Sequence, residues 1–341
     1  MAEMNPYRQD VLRALEDVDL SALEGRSILV TGATGLIGGC LVDLLLEQGQ
    51  AVCDVYAMGR HEQRALRRFA RYWNHPCFHF LKGDVERPLP FDVTFDYIVH
   101  AASNASPNFF QQQPVEVVKA NINGVEHLME YGLRHRMKRM LYVSSGEVYG
   151  EGNGGVFRET DSGYVDCATL RACYPSSKRA AETLCVAYAE EYGADVVIAR
   201  PCHTYGPFFT ESDNRVYAQF IRNLLAGEDI VMKSTGQQYR SWLYVVDCAT
   251  ALLTILLKGA RCQAYNVADE ASNITIRQLA ELLAKAESRR VVFNLGADQQ
   301  PTPVTRAVFS TEKLGRLGWK ALTPIADGLA HTLAAQREYA I

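Results

Sequence analysis

The sequence predicts an α/β fold, with a doubly wound parallel sheet followed by a smaller C-terminal lobe. Short apolar runs alternate with helical patterns over roughly the first 200 of the 341 residues. Such alternation is typical of βαβ units and a parallel sheet. After about Pro201 the elements become shorter and the loops longer, which indicates the second lobe.

The N-terminal elements follow from their apolar spacing. Residues 6–23 place Val11, Leu15 and Val18 at helical spacing, so we expect an amphipathic helix there. The next run, 27–31, reads SILVT and predicts the first strand. Glycines follow this strand at once, and a helical pattern then extends to about residue 46.

The later elements alternate in the same way. Each predicted strand is a short, mainly apolar run, and each predicted helix repeats its apolar residues every three or four positions. The further predicted strands are 51–58, 78–81, 97–100, 139–144 and 195–199, and the further predicted helices are 62–73, 114–135 and 173–192.

Composition excludes several classes of protein. Lys plus Arg is 35 and Asp plus Glu is 39, for a net charge of −4, so we expect neither nucleic acid nor an anionic membrane as a partner. The longest apolar runs are too short to span a bilayer, and residues 1–10 do not resemble a signal peptide. The nine cysteines are scattered, without a CxxC pair. This usage predicts a cytoplasmic protein without a metal site.

The strongest local motif is the glycine-rich segment 31–39, TGATGLIGG. Its glycines lie between the first predicted strand and the next helix. A pyrophosphate needs backbone N–H groups at a helix N-terminus, and glycine lets the backbone approach it closely. This position predicts a Rossmann-type dinucleotide site. We therefore expect a helical prefix at 1–24, a Rossmann domain at 25–200 and, mainly, a substrate-binding lobe at 201–341.

The type of dinucleotide is left open by the sequence. NAD specificity usually depends on an acidic residue that ends the second strand and accepts hydrogen bonds from the ribose. Here that strand ends at Met58 and Gly59, and Arg60 follows. An arginine there can hold the 2′-phosphate of NADP or can belong to a solvated helix face. Asp84, after the third strand, is placed to bind the adenine amino group.

A second motif is Tyr174 with Lys178, four residues apart at the start of a predicted helix. Residues at this spacing share a helical face, and a nearby cation lowers the pKa of a phenol. The phenolate can then act as a general base toward a sugar hydroxyl. Ser144, Ser145 and Glu147 follow the fifth predicted strand and strengthen this interpretation.

Glycine loop, strand-end serine and YxxxK, in this order, resemble the extended short-chain dehydrogenase/reductase superfamily. The likeness is greatest to its NAD-dependent epimerase/dehydratase branch and, within that, to the UDP-glucuronate decarboxylases. Segments 100–107 (HAASNASP), 171–174 (RACY), 204–207 (TYGP) and 240–245 (RSWLYV) carry this further likeness.

The resemblance implies roles for particular residues. Ser145, Glu147, Tyr174 and Lys178 would be catalytic, with NAD as the cofactor and a transient 4-keto sugar as the intermediate. The implied substrate-binding residues are Ser106, Ser145, Glu147, His203, Arg215 and Arg240. The implied cofactor-binding residues are Gly32, Thr34, Gly35, Leu36, Ile37, Gly38, Arg60, Asp84, Val85, Ala101, Ala102, Ser103, Asn121, Val143, Ser144, Tyr174, Lys178 and Arg200.

Three departures from the resemblance leave the exact reaction open. Gly146 stands where the decarboxylases have serine and the 4,6-dehydratases have aspartate. His203 replaces an asparagine, and Phe109 with Phe110 replaces a polar tyrosine near the sugar.

We therefore expect an enzyme of a nucleoside-diphosphate sugar, with decarboxylation or epimerisation ranked above 4,6-dehydration. A one-way NADPH-dependent keto-sugar reductase is the alternative, and a non-catalytic dinucleotide-binding regulator is disfavoured. The resemblance also implies a homodimer through the helices that begin near residues 114 and 173.

Overall fold

A computed structural model of the chain describes residues 4–47, 53–210, 213–295 and 306–339. The strands are β1 (Ser27–Thr31), β2 (Asp54–Gly59), β3 (Phe78–Lys82), β4 (Tyr97–His100), β5 (Arg139–Val143), β6 (Val156–Phe157), β7 (Val196–Pro201), β8 (His203–Tyr205), β9 (Ile230–Met232), β10 (Tyr239–Tyr244), β11 (Ala264–Val267), β12 (Asn273–Thr275), β13 (Val291–Phe293) and β14 (Arg306–Phe309). The α-helices are α1 (Pro6–Leu15), α2 (Leu36–Leu46), α3 (Glu62–Arg68), α4 (Pro107–Gln112), α5 (Pro114–Arg134), α6 (Cys173–Tyr192), α7 (Val216–Leu225), α8 (Val245–Lys258), α9 (Ile276–Ala286), α10 (Glu312–Gly315) and α11 (Ile325–Tyr339).

The main sheet has seven strands in the order β11-β7-β5-β4-β1-β2-β3, and every neighbouring pair is parallel. The chain runs outward from β1 to β3, then returns to β4 and continues in the opposite direction. The order therefore reverses between β1 and β4. In sheets of this kind the crevice at the carboxyl ends of these two strands is where ligands bind. The predicted doubly wound α/β fold is confirmed.

Two small sheets lie outside the main sheet, and all their strands except β6 come from residues after 200. One has the order β12-β10-β14-β6, with β8 paired to β10, and the other joins β13 to β9. Strand β11 and helix α8 come from the same half of the chain but pack with the main sheet. The domain boundaries at residues 24 and 200 remain a prediction.

The N-terminal helix is tied to the helix that follows the glycine loop. The Tyr7 hydroxyl on α1 donates to the Asp43 carboxylate on α2 at 2.6 Å. Arg68 at the end of α3 forms an ion pair with the same carboxylate. All three side chains are buried, so this group fixes α1, α2 and α3 together behind the crevice.

Several element boundaries differ from the predictions. The predicted helix 6–23 ends at Leu15, and a separate 3-10 turn covers Ser21–Leu23. The predicted helix 62–73 breaks at Phe69, whose fully buried ring packs into the core. Residues 51 and 52 of the predicted second strand lie outside the described residues, and α4 was not predicted. In the part of the chain that the structure describes, no helix is long and apolar enough to cross a membrane.

Candidate dinucleotide and active site

The glycine loop forms a tight turn at the carboxyl end of β1. Gly32 has φ +65°, and a Cβ atom there would lie 2.8 Å from the Ala101 backbone after β4. A Cβ at Gly38 would collide with the Gly32 carbonyl. Helix α2 then begins at Leu36 without a side-chain cap. A close backbone approach and an uncapped helix N-terminus fit the pyrophosphate of a dinucleotide.

This loop lines a crevice with a cavity of about 300 Å³. Its wall includes twelve of the eighteen residues predicted to bind the cofactor, namely Gly32, Thr34, Gly35, Leu36, Ile37, Gly38, Arg60, Asp84, Val85, Ala101, Ala102 and Ser103. Residues that sequence analysis did not assign to the cofactor include His61, Glu86, Phe208, Phe209 and Asp213. The loop after β8 therefore crosses the same crevice as the loops after β1 to β4.

The remaining six predicted cofactor residues are not part of this wall. Asn121 is fully buried and joins the Ser103 and Ser177 hydroxyl groups, each at 2.9 Å. The Val143 carbonyl accepts from Lys178 Nζ at 2.8 Å. Ser144 is buried, and its Oγ has no hydrogen-bond partner among the described residues.

Arg200 is placed differently from the prediction. Its guanidinium pairs with both carboxylate oxygens of Glu182, at 3.0 and 2.6 Å. It also donates to the Tyr149 hydroxyl at 3.0 Å and to the Glu159 carbonyl at 2.9 Å. These contacts hold Arg200 in a structural ion pair, so the structure does not bring its side chain to the dinucleotide crevice.

Tyr174 and Lys178 lie on one face of α6, as the spacing predicts. Burial, followed by the Glu147 charge, raises the pKa of Tyr174, whereas the Ser145 hydroxyl and then Arg215 and Arg171 lower it. Burial lowers the pKa of Lys178 to about 7. Its Nζ is 5.8 Å from the Tyr174 ring centroid. The sequence prediction named Lys178 as the cation acting on this phenol, but the leading cations are the two arginines.

Ser145 and Glu147 stand at the start of a 3-10 turn after β5. The Ser145 hydroxyl accepts from the Glu147 N–H at 3.2 Å. The Glu147 carboxylate accepts from Arg171 Nη2 at 2.6 Å. Arg171 also lies over the Phe110 ring, 5.0 Å from its centroid, and that ring stacks on Tyr174 at 4.8 Å. Arg171 is thus a site residue that sequence analysis did not single out, although it lies three residues before Tyr174.

Phe309 explains why residue 146 is glycine. A Cβ atom built on Gly146 would lie 2.5 Å from Phe309 Cζ. Phe309 ends β14 and is buried with Tyr149 and Phe157. Its ring therefore takes up the space that a side chain between Ser145 and Glu147 would need.

Three further predicted residues lie around Arg171. Arg215 donates to Asp213 at 2.6 Å and is part of the crevice wall. Arg240 is buried on β10, and burial lowers its pKa while Glu147 raises it. His203 has an exposed side chain. Partial desolvation by the protein around it, followed by the charges of Arg240, Arg215 and Arg171, lowers its pKa below the ordinary value.

Ser106 closes this end of the crevice. Its hydroxyl donates to Asn214 Oδ1 at 2.5 Å, and Asn214 Nδ2 donates to Asn108 Oδ1 at 2.6 Å. These bonds connect the loop after β4 to the segment that carries Arg215. Within the described ranges no cluster of His, Cys, Asp or Glu could hold a metal ion.

These features define a dinucleotide-binding α/β protein with a tyrosine–lysine pair at the crevice. Residues 28–268 match the model of the NAD dependent epimerase/dehydratase family. The chain belongs to this family, whose description names NAD as the cofactor.

Named relatives cover most of the chain. UDP-glucuronic acid decarboxylase 5 of Arabidopsis thaliana is 32% identical over 306 residues, covering 89% of this chain and 86% of the relative. UDP-glucuronic acid decarboxylase 1 of Xenopus tropicalis is 31% identical over 318 residues, covering 92% and 73%.

Solved structures share the fold. A dTDP-glucose 4,6-dehydratase of Streptomyces venezuelae with bound NAD superposes with a TM-score of 0.80 at 26% identity, covering 92% of this chain and 97% of that one. A UDP-N-acetylglucosamine 4-epimerase of Methanobrevibacter ruminantium gives a TM-score of 0.80 at 24% identity, covering 92% and 98%.

Proposed function

We propose that this enzyme modifies a nucleoside-diphosphate sugar by transient oxidation at carbon 4. The observation that carries the proposal is the convergence of Ser145, Glu147 and Tyr174 with Arg171 and Arg215 beside the dinucleotide crevice. The names of the similar decarboxylases, dehydratase and epimerase each specify a UDP- or dTDP-sugar. These names support this substrate class.

In this proposal Tyr174 takes the proton of the sugar 4-hydroxyl. Ser145, whose hydroxyl lowers the pKa of the phenol, would hold the same hydroxyl. A dinucleotide held by the residues of the crevice wall would supply a hydride acceptor for carbon 4 and would allow the hydride to be returned. Because burial raises the pKa of Tyr174, the cations Arg215 and Arg171 are needed to favour the phenolate.

Glu147 would be the second acid or base, acting at a carbon next to the 4-ketone. Arg215 and Arg240 would hold the diphosphate, since a guanidinium fork matches phosphate oxygens. His203 and Ser106 would border the sugar.

The outcome we favour is decarboxylation or epimerisation. A 4-ketone makes a carboxylate at carbon 6 a β-keto acid, which loses carbon dioxide readily. A 4,6-dehydratase needs an acid at residue 146 to expel the 6-hydroxyl. Gly146 has none, and the Phe309 ring leaves no room for one, so dehydration is disfavoured.

The experiment is a mass spectrum of UDP-glucuronate after incubation with the purified protein and NAD or NADP. Loss of carbon dioxide would support decarboxylation, and unchanged mass with new proton NMR signals would support epimerisation. The Tyr174→Phe variant is the matched control. Equal turnover by that variant, or no conversion across UDP- and dTDP-sugars, would contradict the proposal.

A second candidate is favoured by the arginines at the adenosine end. Arg60 and Arg64 both line the crevice and would suit NADPH, the usual cofactor of a one-way reductase. Stoichiometric loss of NADPH absorbance with a 4-keto sugar would decide for this candidate.

We also propose a cytoplasmic homodimer. Helices α5 and α6 pack on one another and expose Val115, Val186 and Tyr192, with 56%, 38% and 59% of their surface accessible. A second copy would cover these side chains. All nine cysteines are free, which suits a reducing compartment. Sedimentation at micromolar concentration tests the dimer.

A further inference from the structure

The adenosine end of the crevice has an unusual charge pattern. Strand β2 ends at Gly59, and Arg60 and His61 follow it before α3. Glycine and methionine therefore occupy the places where a ribose-binding carboxylate would be expected. Asp54, the acidic residue of this strand, lies at its opposite end and contacts His79 at 3.2 Å.

Two guanidinium groups occupy this end instead. Arg60 and Arg64 both belong to the crevice wall. Arg64 reaches from α3 to the glycine loop, where its Nη2 donates to the Thr34 carbonyl at 3.0 Å. A Cβ atom built on Gly59 would lie 3.5 Å from Thr34 Cγ2, in van der Waals contact. Arg64 is thus held between the end of β2 and the pyrophosphate-binding turn.

The positive charge of these arginines is not neutralised by ion pairing. Neither forms an ion pair within 4.0 Å in the part of the chain that the structure describes. Burial, and then the nearby charges of Arg60 and Arg67, lower the pKa of Arg64, so like charges are crowded here. Two acidic residues, Asp84 and Glu86, line the same crevice, and the charge of Glu86 interacts with that of Arg60 without an ion pair.

We propose that Arg60 and Arg64 form a site for the 2′-phosphate of NADP, so that this chain binds NADP in preference to NAD. The inference rests on the proposed dinucleotide crevice. A 2′-phosphate brings the dianion that the two arginines lack, and their forked N–H groups match its oxygens. NAD, with a 2′-hydroxyl, leaves both charges uncompensated.

Binding measurements on the full-length protein test this site without using turnover. The dissociation constants of NADP⁺ and NAD⁺ are measured by calorimetry after bound nucleotide has been removed, together with those of 2′,5′-ADP and 5′-ADP. We expect the nucleotide that carries the 2′-phosphate to bind about tenfold more tightly in each pair. Added salt should narrow the difference.

Variants assign the difference to these side chains. Arg60→Ala and Arg64→Gln should each weaken NADP⁺ binding about tenfold while changing NAD⁺ binding much less. Glutamine keeps a donor for the Thr34 carbonyl. Arg67→Ala removes the same charge from the exposed side of α3, outside the crevice wall, and should leave both affinities unchanged.

Three results would overturn the inference. The first is that NAD⁺ binds as tightly as NADP⁺ or more tightly. The second is that the Arg60 variant loses the same affinity for both nucleotides. The third is that the Arg67 variant loses as much affinity for NADP⁺ as the Arg60 variant does. Failure to bind either nucleotide would remove the dinucleotide crevice as well. Preference for NADP⁺ without turnover of any sugar nucleotide would support this site and contradict only the proposed reaction.

Discussion

The contact between Gly146 and Phe309 makes a sharp prediction. Replacing Gly146 by serine introduces, between Ser145 and Glu147, the residue type that the UDP-glucuronate decarboxylases have there. The new Cβ would lie 2.5 Å from Phe309 Cζ, about 1 Å closer than ordinary van der Waals contact. Because Gly146 does not have a positive φ, the expected cost comes from this contact and not from backbone strain.

The magnitude follows from the burial of both groups. Overpacking a well-packed core costs about 1–3 kcal/mol, so Gly146→Ser should lower the free energy of unfolding by about 2 kcal/mol. Phe309→Leu alone should cost roughly 1–2 kcal/mol through lost ring contacts with Tyr149 and Phe157. In the double variant the leucine leaves room for the serine, so its cost should fall about 1–2 kcal/mol short of the sum.

Urea unfolding of the four proteins of this cycle measures the coupling. Gly315→Ser is the matched control, because nothing lies within 4 Å of a Cβ there, and its stability should change by less than about 0.5 kcal/mol. Turnover is measured on the same samples. Full stability of Gly146→Ser, or strict additivity in the double variant, would show that Phe309 does not select glycine at residue 146.

Three other perturbations have expected outcomes. Burial lowers the pKa of Lys178 to about 7, so the folded state binds fewer protons than the unfolded state between pH 7 and about 10.5. The free energy of unfolding of the wild type should therefore rise relative to that of Lys178→Met by about 1–3 kcal/mol from pH 7 to pH 9.5. A difference in urea unfolding that stays flat or falls over this range would contradict the prediction. Asp43→Asn leaves buried Arg68 without its carboxylate and should cost about 3 kcal/mol, whereas Asp54→Asn, at an exposed pair, should cost less than about 0.5 kcal/mol; equal thermal shifts would refute the distinction. Arg171→Gln should lower kcat about 10-fold or more with a change in stability below about 1 kcal/mol, and unchanged kcat in a steady-state assay would remove Arg171 from the site.

Local motifs account for most of what the sequence could predict. The glycine turn, the strand before it and the helix after it are adjacent in the chain, so one segment defines the pyrophosphate end of the crevice. The spacing of Tyr174 and Lys178 fixes their common helical face in the same way. Arg60 and Asp84 could be placed because each comes within two residues of the end of a strand of a parallel sheet, and such strand ends converge.

Contacts between distant segments could not be predicted. Phe309 and Gly146 are far apart in the chain and meet because β14 pairs with β6. Phe208 and Phe209 reach the crevice through a loop with no local signal. Arg200 is the converse case, because the resemblance implied a cofactor contact but its guanidinium pairs with Glu182. Side chains alternate between the two faces of a strand, and the sequence does not show which face is buried by which helix.

The arginines of this chain fall into two groups according to how far their ion pairs are exposed to solvent. Arg68 with Asp43 and Arg200 with Glu182 are closed off from water, with side-chain accessibilities of 7%/3% and 13%/11%. Breaking such a pair leaves an uncompensated buried charge and costs about 3–5 kcal/mol, so these guanidinium groups are committed to the fold.

Arg171 with Glu147 is open to solvent, at 55%/34%, and Arg215 with Asp213 is intermediate, at 31%/8%. An exposed pair contributes only about 0–1 kcal/mol, so Arg171 can turn from its carboxylate to an anionic substrate at little cost. Arg215 bonds both oxygens of the Asp213 carboxylate, and a diphosphate would offer equivalent charge-assisted bonds in their place. These two ion pairs thus hold Arg171 and Arg215 near the crevice, in rotamers from which each guanidinium can turn to bind an anionic substrate.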